Sequence, residues 1–156
     1  MLLCDVNVLV YAHRADAVDH TLYRGWLESV LVSAAAYGVS ELALSAFVRV
    51  VTHPRIFREP TPLDAALAFA AEVRDRANAV VLAPGPRHWA IFTRYCRECG
   101  VKGGLVSDAY FAALALESGC EWITTDRDYA RFPGLSWRHP LAGTSGAGGS
   151  SVLAVR

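Results

Sequence analysis

The sequence predicts an α/β fold, a mostly parallel sheet with helices on both faces. Three observations carry that prediction. Short apolar runs recur at Met1–Cys4, Tyr37–Ser40, Asn78–Ala83 and Glu121–Thr125. Runs of that length, bounded by polar or turn residues, suit buried strands. Longer stretches between them space their apolar residues three and four apart, the period of an amphipathic helix. Pro54, Gly100 and Gly119 then stand where those stretches end, as helix breakers and left-handed stops do.

The opening run Met1–Cys4 is a strand that stops at Asp5. Val6–His13 can start a helix. His20–Ala36 reads more strongly as one, because Leu22, Trp26, Leu27, Val30 and Leu31 recur at helical spacing. Tyr37–Ser40 is a second strand. Glu41–Thr52 is helical, with Leu44, Phe47, Val48 and Val51 on one side, and His53–Pro60 is a loop. Thr61 can cap the next helix, Pro62 fits its first position and Asp64 stands where a capping-box acid belongs. That helix is expected to run to Ala77. Asn78–Ala83 carries Val80, Val81 and Leu82 and reads as a strand, and Pro84-Gly85-Pro86 turns the chain. Arg87–Cys99 and Ser107–Ser118 are helical. Glu121–Thr125 is a strand running into Asp126, and Leu135–Trp137 is a last short candidate.

Composition bounds the rest. A chain of 156 residues makes one domain. With 53% apolar and 19% charged residues it is no disordered polyelectrolyte. Lys+Arg and Asp+Glu are 15 each, which excludes a basic nucleic-acid coat, so contact with nucleic acid has to run through a local patch. No uncharged apolar run reaches the roughly 18 residues of a membrane helix. Asp5 directly after Met1-Leu2-Leu3-Cys4 breaks any signal-peptide shape. Cys4, Cys96, Cys99 and Cys120 form no evident disulfide framework, so reduced thiols and the cytoplasm are expected. From Gly143 to Ser151 the chain is only Gly, Ser, Thr and Ala. Residues 1–141 are therefore read as the folded domain and 142–156 as a flexible tail.

The acids carry the chemistry. Asp5, Glu41 and Asp126 sit at or just after the ends of strand-like runs, and Asp108 opens the alanine-rich stretch Asp108-Ala109-Tyr110-Phe111-Ala112-Ala113. Ligands of open parallel sheets bind outside the carboxyl ends of the strands. Carboxylates gathered there stay ionised only beside a cation, or else take up protons. An oxygen-only set selects a hard cation such as Mg²⁺ or Mn²⁺. Structural roles compete for three of them. Asp126 can cap the turn Arg127–Arg131, Asp108 can be a first-turn charge behind a Ser107 cap, and Glu41 the same behind Ser40. Asp5 interrupts an apolar opening with no base nearby, which points to function.

Four motifs in order carry a resemblance. They are Leu2-Leu3-Cys4-Asp5-Val6-Asn7-Val8-Leu9-Val10-Tyr11, then Ser40-Glu41-Leu42 with Thr52-His53-Pro54-Arg55 behind it, then Leu105-Val106-Ser107-Asp108-Ala109-Tyr110, then Thr124-Thr125-Asp126-Arg127-Asp128-Tyr129. Together they resemble the PIN domains, and among these the VapC toxins of bacterial toxin–antitoxin pairs, over Met1–Leu141. The resemblance implies a PIN-like fold with a sheet of four or five parallel strands. It implies a magnesium-dependent endoribonuclease leaving 5′-phosphate and 3′-hydroxyl ends, with Mn²⁺ able to substitute. The family's four acids fall on Asp5, Glu41, Asp108 and Asp126, and Asp128 is a candidate fifth. It further implies a VapB-type antitoxin that blocks the site and covers an apolar groove, and a homodimer.

On this reading Asp5 and Asp108 hold the main ion, Asp126 completes the site or helps hold a second, and Glu41 orients a water or shares the metal. Asn7, Ser107 and Thr125 stand beside the acids as supporting groups, with ordinary capping as the competing role. RNA needs basic residues at the border of such a site. Arg14, Arg49, Arg55, Arg58, Arg87 and Arg127 are the candidates. Phe57 and Trp89 can stack on bases, although Trp89 at a helix start reads as core. Cys96-x-x-Cys99 has no second pair and reads as two ordinary thiols. His13, His20, His53, His88 and His139 show no metal spacing. An aspartate phosphotransferase is a weak rival, since Asn7 stands where its second acid belongs and Lys102 is the only lysine. A catalytically silent PIN-like domain that only binds RNA or a protein partner is the alternative.

Overall fold

A computed structural model describes residues 1–142. Apart from Ala142, the tail expected over 142–156 lies outside the described residues. The strands are β1 Leu2–Cys4, β2 Tyr37–Val39, β3 Ala79–Val81, β4 Glu121–Ile123 and β5 Trp137–Arg138. The helices are α1 Val6–His13, α2 His20–Leu31, α3 Glu41–Val51, α4 Leu63–Arg74, α5 His88–Glu98 and α6 Leu105–Ser118, with a 3₁₀ turn at Arg127–Arg131. The five strands form one sheet in the order β3-β2-β1-β4-β5. Every neighbouring pair is parallel.

The sheet divides the core in two. On one side Tyr37 and Val39 pack with Leu9, Leu27, Phe47 and Phe69 from α1 to α4. On the other Leu3 and Trp122 pack with Tyr95 of α5 and with Phe111 and Leu114 of α6. Leu2 and Cys4 join the first side while Leu3 joins the second, the alternation expected of a strand. β1 lies between β2 and β4, with Leu3 opposite Gly38 and Trp122. Position 38 is crowded: a Cβ there would meet Leu82 Cδ1 at 2.6 Å and the Leu2 carbonyl oxygen at 3.2 Å, so a side chain would have to displace Leu82.

Four expected boundaries shift. α2 ends at Leu31 rather than Ala36. Asn78 Nδ2 donates to the carbonyls of Ser33 and Ala35, so a side chain serves these groups instead of a further helical turn. α4 starts at Leu63, with Pro62 in the capping position and no side-chain cap. The Thr61 hydroxyl is already engaged by His13 Nε2 and Arg14 Nη1. α4 also stops at Arg74, short of Ala77. α6 begins at Leu105 behind Gly104, so Ser107 lies inside its first turn and is not its cap. Among the described residues no helix is long and apolar enough to cross a membrane.

Because all five strands run the same way, their carboxyl ends meet at one edge. Asp5 leaves β1, Ser40 and Glu41 leave β2, and Thr124 to Asp126 leave β4. These are the three adjacent central strands.

Candidate active site

Asp5 lies at the base of a cleft of about 510 Å³ that Arg49, Phe92, Ser107, Asp108 and Tyr110 also line. It is 7% exposed. As the residue between β1 and α1 it serves both: its Oδ1 accepts the Val6 N–H at 2.7 Å and its Oδ2 accepts the Thr124 hydroxyl at 2.6 Å. Thr124 is fully buried, and its single oxygen ties the site together. Besides donating to Asp5, it accepts from Asn7 Nδ2 at 3.1 Å and from the Asp126 N–H at 3.0 Å. Asn7 Oδ1 in turn accepts the Thr125 N–H at 3.4 Å. Asp126 Oδ1 accepts the Asp128 N–H at 2.8 Å, so this acid does cap the turn that follows it. Asp108 sits in the first turn of α6, where the helix end favours negative charge. The Tyr129 hydroxyl reaches its Oδ1 at 3.4 Å.

These acids feel one another. Burial pushes the Asp5 carboxyl up to about 6, the bonds from Thr124 and Val6 pull it down, and Asp108 and Asp126 push it further up. Burial also raises Asp108, with Asp126 and Asp128 adding to it. Burial and the same aspartates hold the Tyr129 hydroxyl protonated far above the usual phenol range, so it can only donate to Asp108. Cys4, beside Asp5, is pushed up to about 12 by burial first and then by that charge, which leaves it an inert thiol.

The remaining candidates divide. Ser107 is exposed in the cleft wall, and Asp128 is exposed and paired with Arg131 at 3.2 Å. Glu41 is the first residue of α3, behind a Ser40 cap, as expected. Its carboxylate turns outward, however, to an ion pair with Arg74 at 2.7 Å. Arg49 lines the cleft, Arg55, Arg58 and Arg127 are exposed elsewhere, and two arginines are spent structurally. Arg14 bonds Asp16, the Glu59 carbonyl and Thr61, and covers the Phe57 ring at 4.1 Å, so Phe57 offers no free face there. Arg87 donates to the Glu117 carbonyl. Trp89 corrects the expectation of a core residue. It is 68% exposed, because its neighbour His88 takes the inward place and bonds the Tyr110 carbonyl. All four cysteines are free thiols. The five histidines are scattered and each bonds a nearby group.

Thr124 and Tyr129 are the functional residues that sequence reasoning missed. Thr124 was legible as the residue that ends β4, in register with Asp5 at the end of β1. Tyr129 carried only a weak signal, an aromatic one turn after Asp126.

The donor set fits a hard cation. It is all oxygen, and the crowding of Asp5 and Asp108 is relieved only in part, by Arg131 acting on Asp108. Each Asp5 oxygen has given only one of its lone-pair directions to a hydrogen bond. Among the described residues no group of three or more His, Cys, Asp or Glu side chains is placed to hold a metal ion. Magnesium keeps several waters and needs only one or two carboxylates, so an open set suffices.

Comparison with known proteins gives the family. Residues 2–135 match the PIN domain family. Ribonuclease VapC43 of Mycobacterium tuberculosis is 46% identical over 144 residues, 92% of this chain and 97% of that one. Ribonuclease VapC25 of the same organism is 38% identical over 139 residues, 89% of this chain and 96% of that one. Among solved structures, VapBC2 from Rickettsia felis bound to a promoter DNA fragment superposes with a TM-score of 0.63 at 14% identity, covering 88% of this chain and 97% of that one. M. tuberculosis VapC20, described as a sarcin-ricin loop cleaving toxin, gives 0.60 at 16% identity, covering 83% of this chain and 93% of that one. The expected fold is thus found, with five strands and no antiparallel pair, and the chain belongs to the PIN-domain family and, within it, to the VapC ribonucleases.

Proposed function

We propose that the chain is a divalent-cation-dependent endoribonuclease, the toxin of a toxin–antitoxin pair. One observation carries the metal dependence: Asp5, Asp108 and Asp126 act on one another at the carboxyl edge of the sheet, with Asp5 pushed up to about 6. Their relatives' names supply the substrate class, RNA. Mg²⁺ is the proposed ion, with Mn²⁺ substituting.

When bound, the ion would make a coordinated water more acidic and offset charge on the scissile phosphate. Asp5 and Asp108 would hold it, with Asp126 completing the site. Thr124 keeps Asp5 and the Asp126 backbone in fixed relation, and Tyr129 keeps Asp108 from turning away. Asn7 steadies Thr124 and Thr125 from below. Glu41 would orient the attacking water, and to do so it leaves Arg74. That exchange is easy, since both partners of the pair are exposed. Asp128 and Ser107 border the site. Arg49 offers positive charge at its rim.

The proposed partner is a VapB-type antitoxin, supported by the toxin–antitoxin complexes among the solved structures of this fold. The proposed assembly of the toxin is a homodimer, and its proposed setting is the cytoplasm, where free thiols persist.

The test is digestion of total bacterial RNA by purified protein with Mg²⁺, with Mn²⁺ and with EDTA, beside Asp5→Ala. Discrete fragments that need both metal and Asp5 are expected. Fragments that persist in EDTA, or with the variant, would overturn the proposal. Intact RNA in every lane, with RNA still bound, would favour the binding-only reading.

A further inference from the structure

We infer that Trp89, Phe92 and Arg49 form a nucleotide subsite beside the acids, where an unpaired base stacks on the Trp89 indole against Phe92 while its phosphate meets the guanidinium. The inference rests on the nuclease reading for its polymer and extends it to named residues.

Trp89 is 68% exposed at the start of α5, an unusual place for the largest apolar side chain. It is not isolated. Its ring centroid lies 5.3 Å from that of Phe92, and Phe92 lies 5.8 Å from Tyr110. Phe92 and Tyr110 line the same cleft as Asp5 and Asp108. The rings, tilted 43° and 68° to one another, therefore make a stepped ledge from exposed Trp89 to the cleft. α5 presents Trp89 and Phe92 three residues apart, so both fall on one face of the helix. α3 contributes Arg49 to the same cleft. Arg49 is exposed and its guanidinium holds no hydrogen bond or ion pair among the described residues. The cleft thus combines the acids Asp5 and Asp108, the cation Arg49 and the rings of Phe92 and Tyr110, with Trp89 stepped beside Phe92.

A nucleotide next to a scissile phosphate carries the complementary parts, one flat π-face and one negative charge. Base–aromatic stacking is sequence-tolerant and needs a base that is out of its helix. The ledge accordingly selects RNA with an unpaired, splayed base at the cut and excludes continuous duplex. A protein surface could also seek Trp89, but it would give no reason for the unpaired guanidinium of Arg49 facing the same cleft.

The test uses the full chain carrying Asp108→Asn, which leaves RNA uncut, and follows fluorescence anisotropy of a short fluorescein-labelled single-stranded RNA of mixed sequence. The same strand annealed to its complement is the control. Adding Trp89→Ala should weaken single-strand binding about tenfold and leave duplex binding unchanged, while Trp89→Phe keeps most of the affinity. Arg49→Ala should flatten the dependence of log Kd on log salt by about one phosphate contact, which Trp89→Ala should not. Single-strand affinities of Trp89→Ala within about twofold of the parent would overturn the subsite, as would equal losses on both probes or a parent that binds no RNA. Sedimentation of the same variants decides the protein alternative: a change in oligomeric state with RNA affinity intact refutes the ledge. The nuclease reading fails separately. If the unmutated chain cuts nothing while Trp89-dependent RNA binding persists, the subsite stands and catalysis falls.

Discussion

Replacing Asp5 by asparagine should make the metal-free chain more stable at neutral pH and abolish cleavage. The folded protein holds this carboxyl at about 6, against an ordinary value of 3.8. A carboxyl raised by folding binds its proton more tightly in the native state. Stability is therefore greatest below 3.8, falls as pH rises through the window to 6, and stays low above it. The whole penalty is worth about 3 kcal/mol at neutral pH. Asparagine never ionises and so escapes it. Its Oδ1 can keep the Val6 N–H, but its amide N–H would face a Thr124 oxygen that already accepts from Asn7 and Asp126. That mismatch costs about 1 kcal/mol. The net expectation is a gain of about 2 kcal/mol near pH 7.5, shrinking to about zero near pH 4.5, where about 1 kcal/mol of the penalty remains and offsets the mismatch. Urea unfolding in EDTA at both pH values measures it. An asparagine variant less stable than its parent near pH 7.5, or a difference that ignores pH, would refute the reasoning. Saturating Mg²⁺ should raise the parent's midpoint and leave the variant's where it was.

Thr124→Val should cost about 2–3 kcal/mol in chemical unfolding and lower cleavage, because it strands Asp5 Oδ2, Asn7 Nδ2 and the Asp126 N–H together, while Thr124→Ser restores both. Glu41→Gln should slow RNA cleavage by about a hundredfold, the lower range for a positioned acid–base group, whereas Arg74→Ala should leave the rate intact in the same assay. His13 is held below its ordinary value of 6.5 by burial first and by Arg14 next. Its unfolded form therefore takes up a proton before the folded one does, so in the Asp5→Asn background, which removes the opposite contribution of that carboxyl, urea midpoints should decline as pH falls through 6.5. Replacing His13 by Gln should flatten that decline.

The fold was legible because its signals are local. Apolar runs of strand length alternate with helical periods, and Gly119 stops α6 at φ 67° as a left-handed residue does. The misplaced boundaries came from partners distant in sequence. Asn78 decides where α2 ends by bonding Ser33 and Ala35, and His13 and Arg14 remove Thr61 from capping duty. The site was half legible. A parallel sheet brings the residues after β1, β2 and β4 to one edge, so Asp5, Glu41 and Asp126 could be grouped from strand ends alone. Thr124 could not be weighed that way, since its importance lies in three bonds made by one hydroxyl. Nor could the rotamer of Glu41, which a competing arginine on another helix sets. Trp89 misled because helix position says nothing about which of two adjacent aromatic rings, His88 or Trp89, turns inward.

The central claim is the proposal that Asp5 and Asp108, with Asp126 beside them, take up a divalent cation. Electron paramagnetic resonance of Mn²⁺ added to the RNA-free chain tests it most directly, with Asp5→Asn, Asp108→Asn and Asp126→Asn beside the exposed control Glu98→Gln. Saturable binding to the parent and the control, weakened at least about tenfold by Asp5→Asn and by Asp108→Asn, is the predicted result. Mn²⁺ binding of equal strength in all five proteins would contradict the account.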